Sequence, residues 1–417
     1  MTGADASTSP FAYLIGGKRL NADAPGFAEA IASAHATHHR PRCLCLLDGI
    51  EMYVARLGDG FIVKRMPNTG SQHAPGCPSY EPPPEFSGLG QVLGSAITED
   101  PATGETTLKL DFSLSKIGGR STTPTAGTIG DSVISDGAKL SLRGLLHYLW
   151  DQAELTRWHP RFYGKRSWGT VREHLLQAAQ NKLARGDALQ SRLYIPEAFS
   201  VERREAINAR RMAQFGFAAV TPGKAQNLML LIAEVKEIVP ARYGFKIIVK
   251  HVPDQAFAID EQLYRRIGLR FEPELFLWGA TDSLHMVMIA TFGVAESGLP
   301  MIAELSLMLV TGQWMPIEDS FEQSLLERLV QERRAFVKGL RYNMPPGQTM
   351  ASATLTDAGE FPVPLFIARS RLDLAQESAA AETLEMSRGS PAWTWVPALG
   401  AMPTLPQPGG GVAARNQ

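Results

Sequence analysis

The sequence predicts a multidomain α+β protein: a small N-terminal β-hairpin module over residues 11–116, a basic helical middle over 139–216, and a mixed sheet with helices over 225–396. Three observations carry this reading. All three cysteines fall between positions 43 and 77, residues 139–216 combine helical apolar spacing with a cluster of cations, and from residue 227 onward the apolar runs have strand length and strand composition. A Gly-, Ser- and Thr-rich stretch without sustained period, 117–138, separates the first two units, and residues 1–10 and 397–417 are expected to be disordered.

The N-terminal module opens with a short strand over 11–15 and a helix over 27–35 introduced by Pro25-Gly26. Cys43-Leu44-Cys45 follows. In an extended strand both sulfurs would face one way, with Leu44 turned aside. Residues 51–56 and 61–65 around Gly58-Asp59-Gly60 read as a β-hairpin, which returns the chain toward its start and carries His73-Ala74-Pro75-Gly76-Cys77 back to the first two sulfurs. Pro75 and Gly76 rule out a regular helix there, so a tight chelating turn is expected. Cys43, Cys45, His73 and Cys77 make the ligand set of a closed, structural Zn2+ site. Two alternatives stay open: the cysteines are small buried hydrophobes, or His35, His38 or His39 replaces His73. A second hairpin is expected over 98–114, with Leu108, Leu110, Phe112 and Leu114 alternating inward.

Bulk properties limit the function classes. The chain has 417 residues, 44% of them hydrophobic and 20% charged, with a net charge of −1. That is an ordinary globular composition with no global basic field for nucleic acid, so any such contact must come from a local patch. No apolar run approaches the roughly 18 residues a membrane span needs. The N-terminus lacks the basic and apolar regions of a signal peptide, and few, unevenly numbered cysteines suit a reducing compartment. A cytoplasmic protein without membrane contact is therefore expected.

The middle block supplies the local patch. Leu142, Leu145, Leu146, Leu149 and Trp150 space out an amphipathic helix, and Thr170 with Glu173 suggests a capping box opening a second. A short strand over 193–195 and a third helix over 201–214 make the order compatible with a winged-helix variant. Between residues 157 and 211 there are twelve lysines and arginines against five carboxylates, and Trp158, Phe162, Tyr163 and Trp168 interleave with the first of them. Arg161, Lys165, Arg166, Trp168 and Arg172 are the candidate nucleic-acid contacts, combining phosphate neutralisation with base stacking. The competing account is a solvated helical surface whose aromatics are simply core.

The C-terminal unit begins with strands over 228–239 and 245–252, then a helix over 260–267 and two apolar strands over 285–292 and 301–311. The longest helix is expected over 320–339, capped by Ser320 with Gln323, which would align Arg334, Lys338 and Arg341 as a basic stripe. Strands over 353–357 and 364–367 follow. Glu234-Val-Lys236 matches a nuclease-type Glu-x-Lys, a motif with high false-positive risk. No dinucleotide fingerprint, P-loop or nucleophile elbow is present.

Cys43-Leu-Cys45, His73-Ala-Pro-Gly-Cys77 and Phe336-Val-Lys-Gly-Leu-Arg-Tyr342 resemble a bacterial family catalogued as domain of unknown function 1173, over most of residues 11–396. The resemblance implies three N-terminal cysteines, no assigned activity, and a setting in plasmids or conjugative elements, with DNA, RNA or other mobile-element proteins as partners. A looser similarity to restriction-endonuclease-type enzymes would make Asp357 a metal carboxylate. Phe366 and Ala368 then stand where its Glu and Lys partners belong, so that site would be incomplete unless Glu234 and Lys236 migrate into it. The leading expectation is a zinc-stabilised protein that binds nucleic acid without catalysis. The alternatives are a nuclease and a protein–protein scaffold.

Overall fold

The computed structural model describes residues 12–57, 59–116, 138–345, 348, 350–359, 361–369 and 393–409. The expectations for residues 1–10, for the stretch 117–137 and for the end of the tail, 410–417, lie outside these residues. Among the described residues, helices and strands are mixed and the strands form five sheets. The largest sheet is built around three long strands, Met229–Pro240, Leu284–Val294 and Pro300–Thr311, joined antiparallel. Phe245–Val249 and Phe257–Ile259 extend it, and a single parallel contact, Ala258↔Met301, closes the pairing into a ring.

The long strands are apolar on both faces because both faces are covered. Side chains alternate across a strand, so Leu231, Ala233, Met286 and Met288 enter one core while Leu230, Ile232, Val287 and Ile289 enter another. The second core is completed by the helix Leu142–Gln152 and by Leu108, Leu110, Phe112 and Leu114, which are all buried as their alternation required.

The three stretches expected as separate units share their sheets. Thr106–Leu108 pairs parallel with Lys182–Ala184, Leu193–Tyr194 pairs parallel with Met229–Pro240, and Arg157–Trp158 pairs antiparallel with Phe336–Lys338. The helix Trp168–Ala178 starts two residues before the expected capping box, because the Ser167 hydroxyl takes the N–H of Thr170.

The helix expected over 320–339 stops at Gln331. Asp319, not Ser320, caps its start, its carboxylate accepting the N–H groups of Phe321 and Glu322. At its end Arg333 takes a left-handed conformation (φ 54°), and the N–H of Arg334 reaches back to the Leu329 carbonyl at 2.9 Å, a Schellman closure made without glycine. Phe336–Lys338 then becomes a strand against Ala353–Leu355. The basic stripe therefore does not form.

The tail also departs from expectation between residues 397 and 409. Leu405 is buried, the Pro406 carbonyl accepts from Arg334, and the N–H of Gly409 bonds to the Asp357 carbonyl at 2.8 Å. Proline and glycine supply little apolar surface, but here their own backbone groups bond to the Arg334 guanidinium and the Asp357 carbonyl. No helix among the described residues is long and apolar enough to cross a membrane.

Candidate metal centre

The first sheet positions the cysteines. Arg42–Cys43 is a two-residue strand held between Ala12–Ile15 and Ile50–Leu57, with Cys43 opposite both Tyr13 and Ile50. The strand ends there, so Cys45 is not its extended continuation. Cys45 sits in a turn over 44–48, and the Arg42 guanidinium locks that turn by donating to the Asp48 carbonyl (2.7 Å) and the Gly49 carbonyl (2.9 Å). Gly49 has φ 63°, which lets the chain re-enter the sheet at Ile50. The hairpin Ile50–Leu57 with Gly60–Arg65 then brings the chain back as expected. His73 through Cys77 forms the expected tight turn, closed by the Cys77 N–H on the Ala74 carbonyl at 2.8 Å.

Together these elements place one ligand atom from each of Cys43, Cys45, His73 and Cys77 within 4.8 Å of one another. The Cys43 and Cys77 sulfurs are 3.7 Å apart, and His73 Nδ1 lies 3.4 Å from Cys45 Sγ and 3.7 Å from Cys77 Sγ. All three cysteines are free thiols. His73, Cys43 and Cys77 are almost wholly buried. The Ser79 N–H points at Cys77 Sγ at 3.4 Å, the kind of outer contact that steadies a metal-bound thiolate. His35, His38 and His39 stay outside: His35 packs at a tilt against Phe61, while His38 and His39 are exposed.

The three thiols are electrostatically coupled. The hydrogen bond with Cys45 pushes the Cys43 thiol up to about 11, and contact with Cys43 and Cys45 drives the Cys77 thiol far above its usual range. The same contacts, from Cys43 first and then Cys77, depress Cys45. Three mutually touching thiols cannot ionise together unless an ion neutralises them. The four residues can hold a metal ion.

The site is tied to the main body by the segment just after Cys77. The Tyr80 carbonyl accepts from Arg157, and the Gly88 N–H bonds to the Leu340 carbonyl at 2.8 Å. Gly88 has no alternative, because a Cβ there would lie 1.8 Å from the Arg341 carbonyl oxygen. The cysteine-bearing stretch and the stretch 336–342, far apart in sequence, thus meet in space.

The other candidates are placed as follows. Arg161 and Lys165 are exposed on one surface with Tyr163, which is 67% exposed. Arg166 turns inward: it donates to the carbonyls of Leu155 (2.9 Å) and Gln313 (3.3 Å) and lies over the Trp158 ring. Trp168 is core, its indole N–H donating to the Pro196 carbonyl at 2.8 Å, and Arg172 donates to the Ile195 carbonyl at 3.0 Å. Long cations and amphipathic rings satisfy carbonyls and fill cores as readily as they contact ligands.

The nuclease candidates do not line up as metal ligands. Asp357 is bidentate with Arg334 (2.7 and 3.1 Å) and also accepts the Ala335 N–H. Phe366 is buried. A β-bulge between Val235 and Glu237 breaks the two-residue period, so Glu234 points inside while Lys236 is exposed. Glu234 instead joins Lys250 and His285, whose Nδ1 lies 2.6 Å from its carboxylate and whose ring stacks on Trp314. Burial pushes the Glu234 carboxyl up, but His285 and Lys250 outweigh it and hold it below the usual range. Sequence reading gives His285 no partner, since only strand pairing reveals this neighbour. It likewise missed that Lys338 and Glu322 form a fully buried pair at 3.2 Å.

A family model described as protein of unknown function (DUF1173) matches residues 13–398. No curated protein matches the chain, and no solved structure does.

Proposed function

Because the chain belongs to the DUF1173 family of proteins of unknown function, we propose a function from its own geometry: a zinc-stabilised protein that binds nucleic acid without cleaving it. The carrying observation is the spacing of the Cys3His set. Zinc–thiolate bonds of ~2.3 Å and zinc–imidazole bonds of ~2.0–2.1 Å give a tetrahedron with edges of about 3.8 Å between sulfurs and about 3.5 Å between sulfur and nitrogen. The spacings of 3.7 Å, and of 3.4 and 3.7 Å, match those edges. Four protein ligands leave no open position for water or substrate, which argues for a structural rather than a catalytic ion.

The nucleic-acid part rests on Arg161, Tyr163 and Lys165, two exposed cations around an exposed ring. The mobile-element setting implied by the resemblance favours such a partner. The reading without cleavage is supported by Asp357, whose oxygens are already committed to Arg334 and a backbone N–H.

The test is equilibrium binding of labelled single- and double-stranded oligonucleotides across a salt series. Arg161→Glu with Lys165→Glu should weaken binding and flatten the log–log salt slope by about 1.4 for a single strand, roughly 0.7 per lost phosphate contact. Arg166 is left intact, since removing its internal bonds would perturb the fold. Undiminished affinity in the double variant would refute this surface as the contact.

A further inference from the structure

Beside Tyr163 lies a cleft of about 750 Å³, within the range of built ligand sites. Trp158, Met315 and Tyr163 give it apolar and aromatic walls, and Gln313, Gln331 and Arg333 give it a polar margin. One feature asks for a ligand with acceptors. Gln313 accepts the Gly164 N–H through its side-chain oxygen at 3.2 Å, which fixes the amide and leaves its N–H2 as a donor.

We infer that this cleft receives one unpaired base of a single strand. This inference rests on the nucleic-acid reading and sharpens it. A nucleobase is planar, stacks on a phenol ring and carries carbonyl and ring-nitrogen acceptors for Gln313 and Arg333. Arg161 and Lys165, exposed two residues to either side of Tyr163, would meet the flanking phosphates. A paired base cannot turn its acceptor edge and its faces into such a cleft without leaving the duplex.

The experiment compares a labelled single strand with an abasic strand of the same length and phosphate count, using the full chain at fixed salt. The abasic strand should bind about tenfold or more weakly, the scale of one lost base–aromatic stack. Tyr163→Ala should lose the same factor on the normal strand and nothing further on the abasic one, and Tyr163→Phe should restore most of it. Equal affinity for the two strands, or a Tyr163→Ala loss common to both, would overturn the cleft assignment while leaving the nucleic-acid reading standing. Failure of both strands to bind would overturn that reading itself and the cleft assignment with it.

Discussion

Cys77→Ser should abolish metal binding and locally unfold the N-terminal module. The magnitude follows from the site. Without an ion, two thiolates 3.7 Å apart repel by about 4.5 kcal/mol at an effective dielectric near 20. The apo cluster must therefore keep protons on most of its sulfurs and holds the chain only through weak S–H contacts. The module's own core is small: Ile15, Ile31, Ala34 and Val54 form one cluster, while Met52 and Tyr80 pack with the cysteines themselves. Structural zinc contributes ~10–16 kcal/mol in finger peptides, so even a third of that lost would raise local opening by about a thousandfold. Elemental analysis should find one zinc per wild-type chain and almost none in Cys77→Ser. Hydrogen exchange should accelerate by that factor across residues 42–57 and 73–81. It should also reach Arg157, which bonds to the Tyr80 carbonyl, and leave Met229–Pro240 protected. Leu47→Ser, fully exposed in the same turn, serves as the control and should change nothing. Metal-free wild-type protein, or a Cys77→Ser variant with wild-type exchange, would refute the reasoning.

Two further predictions concern the main body. Glu322→Gln should destabilise by about 3–5 kcal/mol in denaturant titration, because it strands the Lys338 ammonium where both groups are 1% exposed. Glu322→Leu with Lys338→Met should recover most of that, and a double variant as unstable as the single one would show that the pair itself is required. His147 is buried, accepts the Tyr342 N–H at Nδ1 (3.0 Å), and burial pushes its pKa down to about 3. The unfolded imidazole titrates near 6.5, so the unfolded state binds the extra proton in between. Stability should thus be full above about pH 6.5 and fall by up to about 1.4 kcal/mol per unit as pH drops toward 3. Asp111 and Asp151, whose carboxyls burial raises to about 6, titrate in the same window in both proteins, so the difference in slope between wild type and His147→Gln isolates the histidine, and an identical pH dependence would exclude it.

What the sequence determined by itself was local. Cys43, Cys45, His73 and Cys77 were legible because one hairpin and one Pro-Gly turn bring them together, and neither device depends on the rest of the chain. The strands around Met229–Pro240 and Leu284–Val294 were legible because period and composition are properties of a single segment. Tertiary structure decided everything that depends on a distant partner. Arg334, Lys338 and Arg341 read as a helical stripe from propensity alone. Their segment instead pairs with Ala353–Leu355, and each cation finds its own carboxylate, at Asp357, Glu322 and Glu318. Arg166 and Trp168 read as ligand contacts until carbonyls from other segments claimed their donors. A charged or aromatic side chain has the same appearance in sequence whether it meets solvent, a ligand or a buried acceptor. Only the fold fixes which of these lies within 3 Å, because desolvation makes an unpaired buried group too costly to leave.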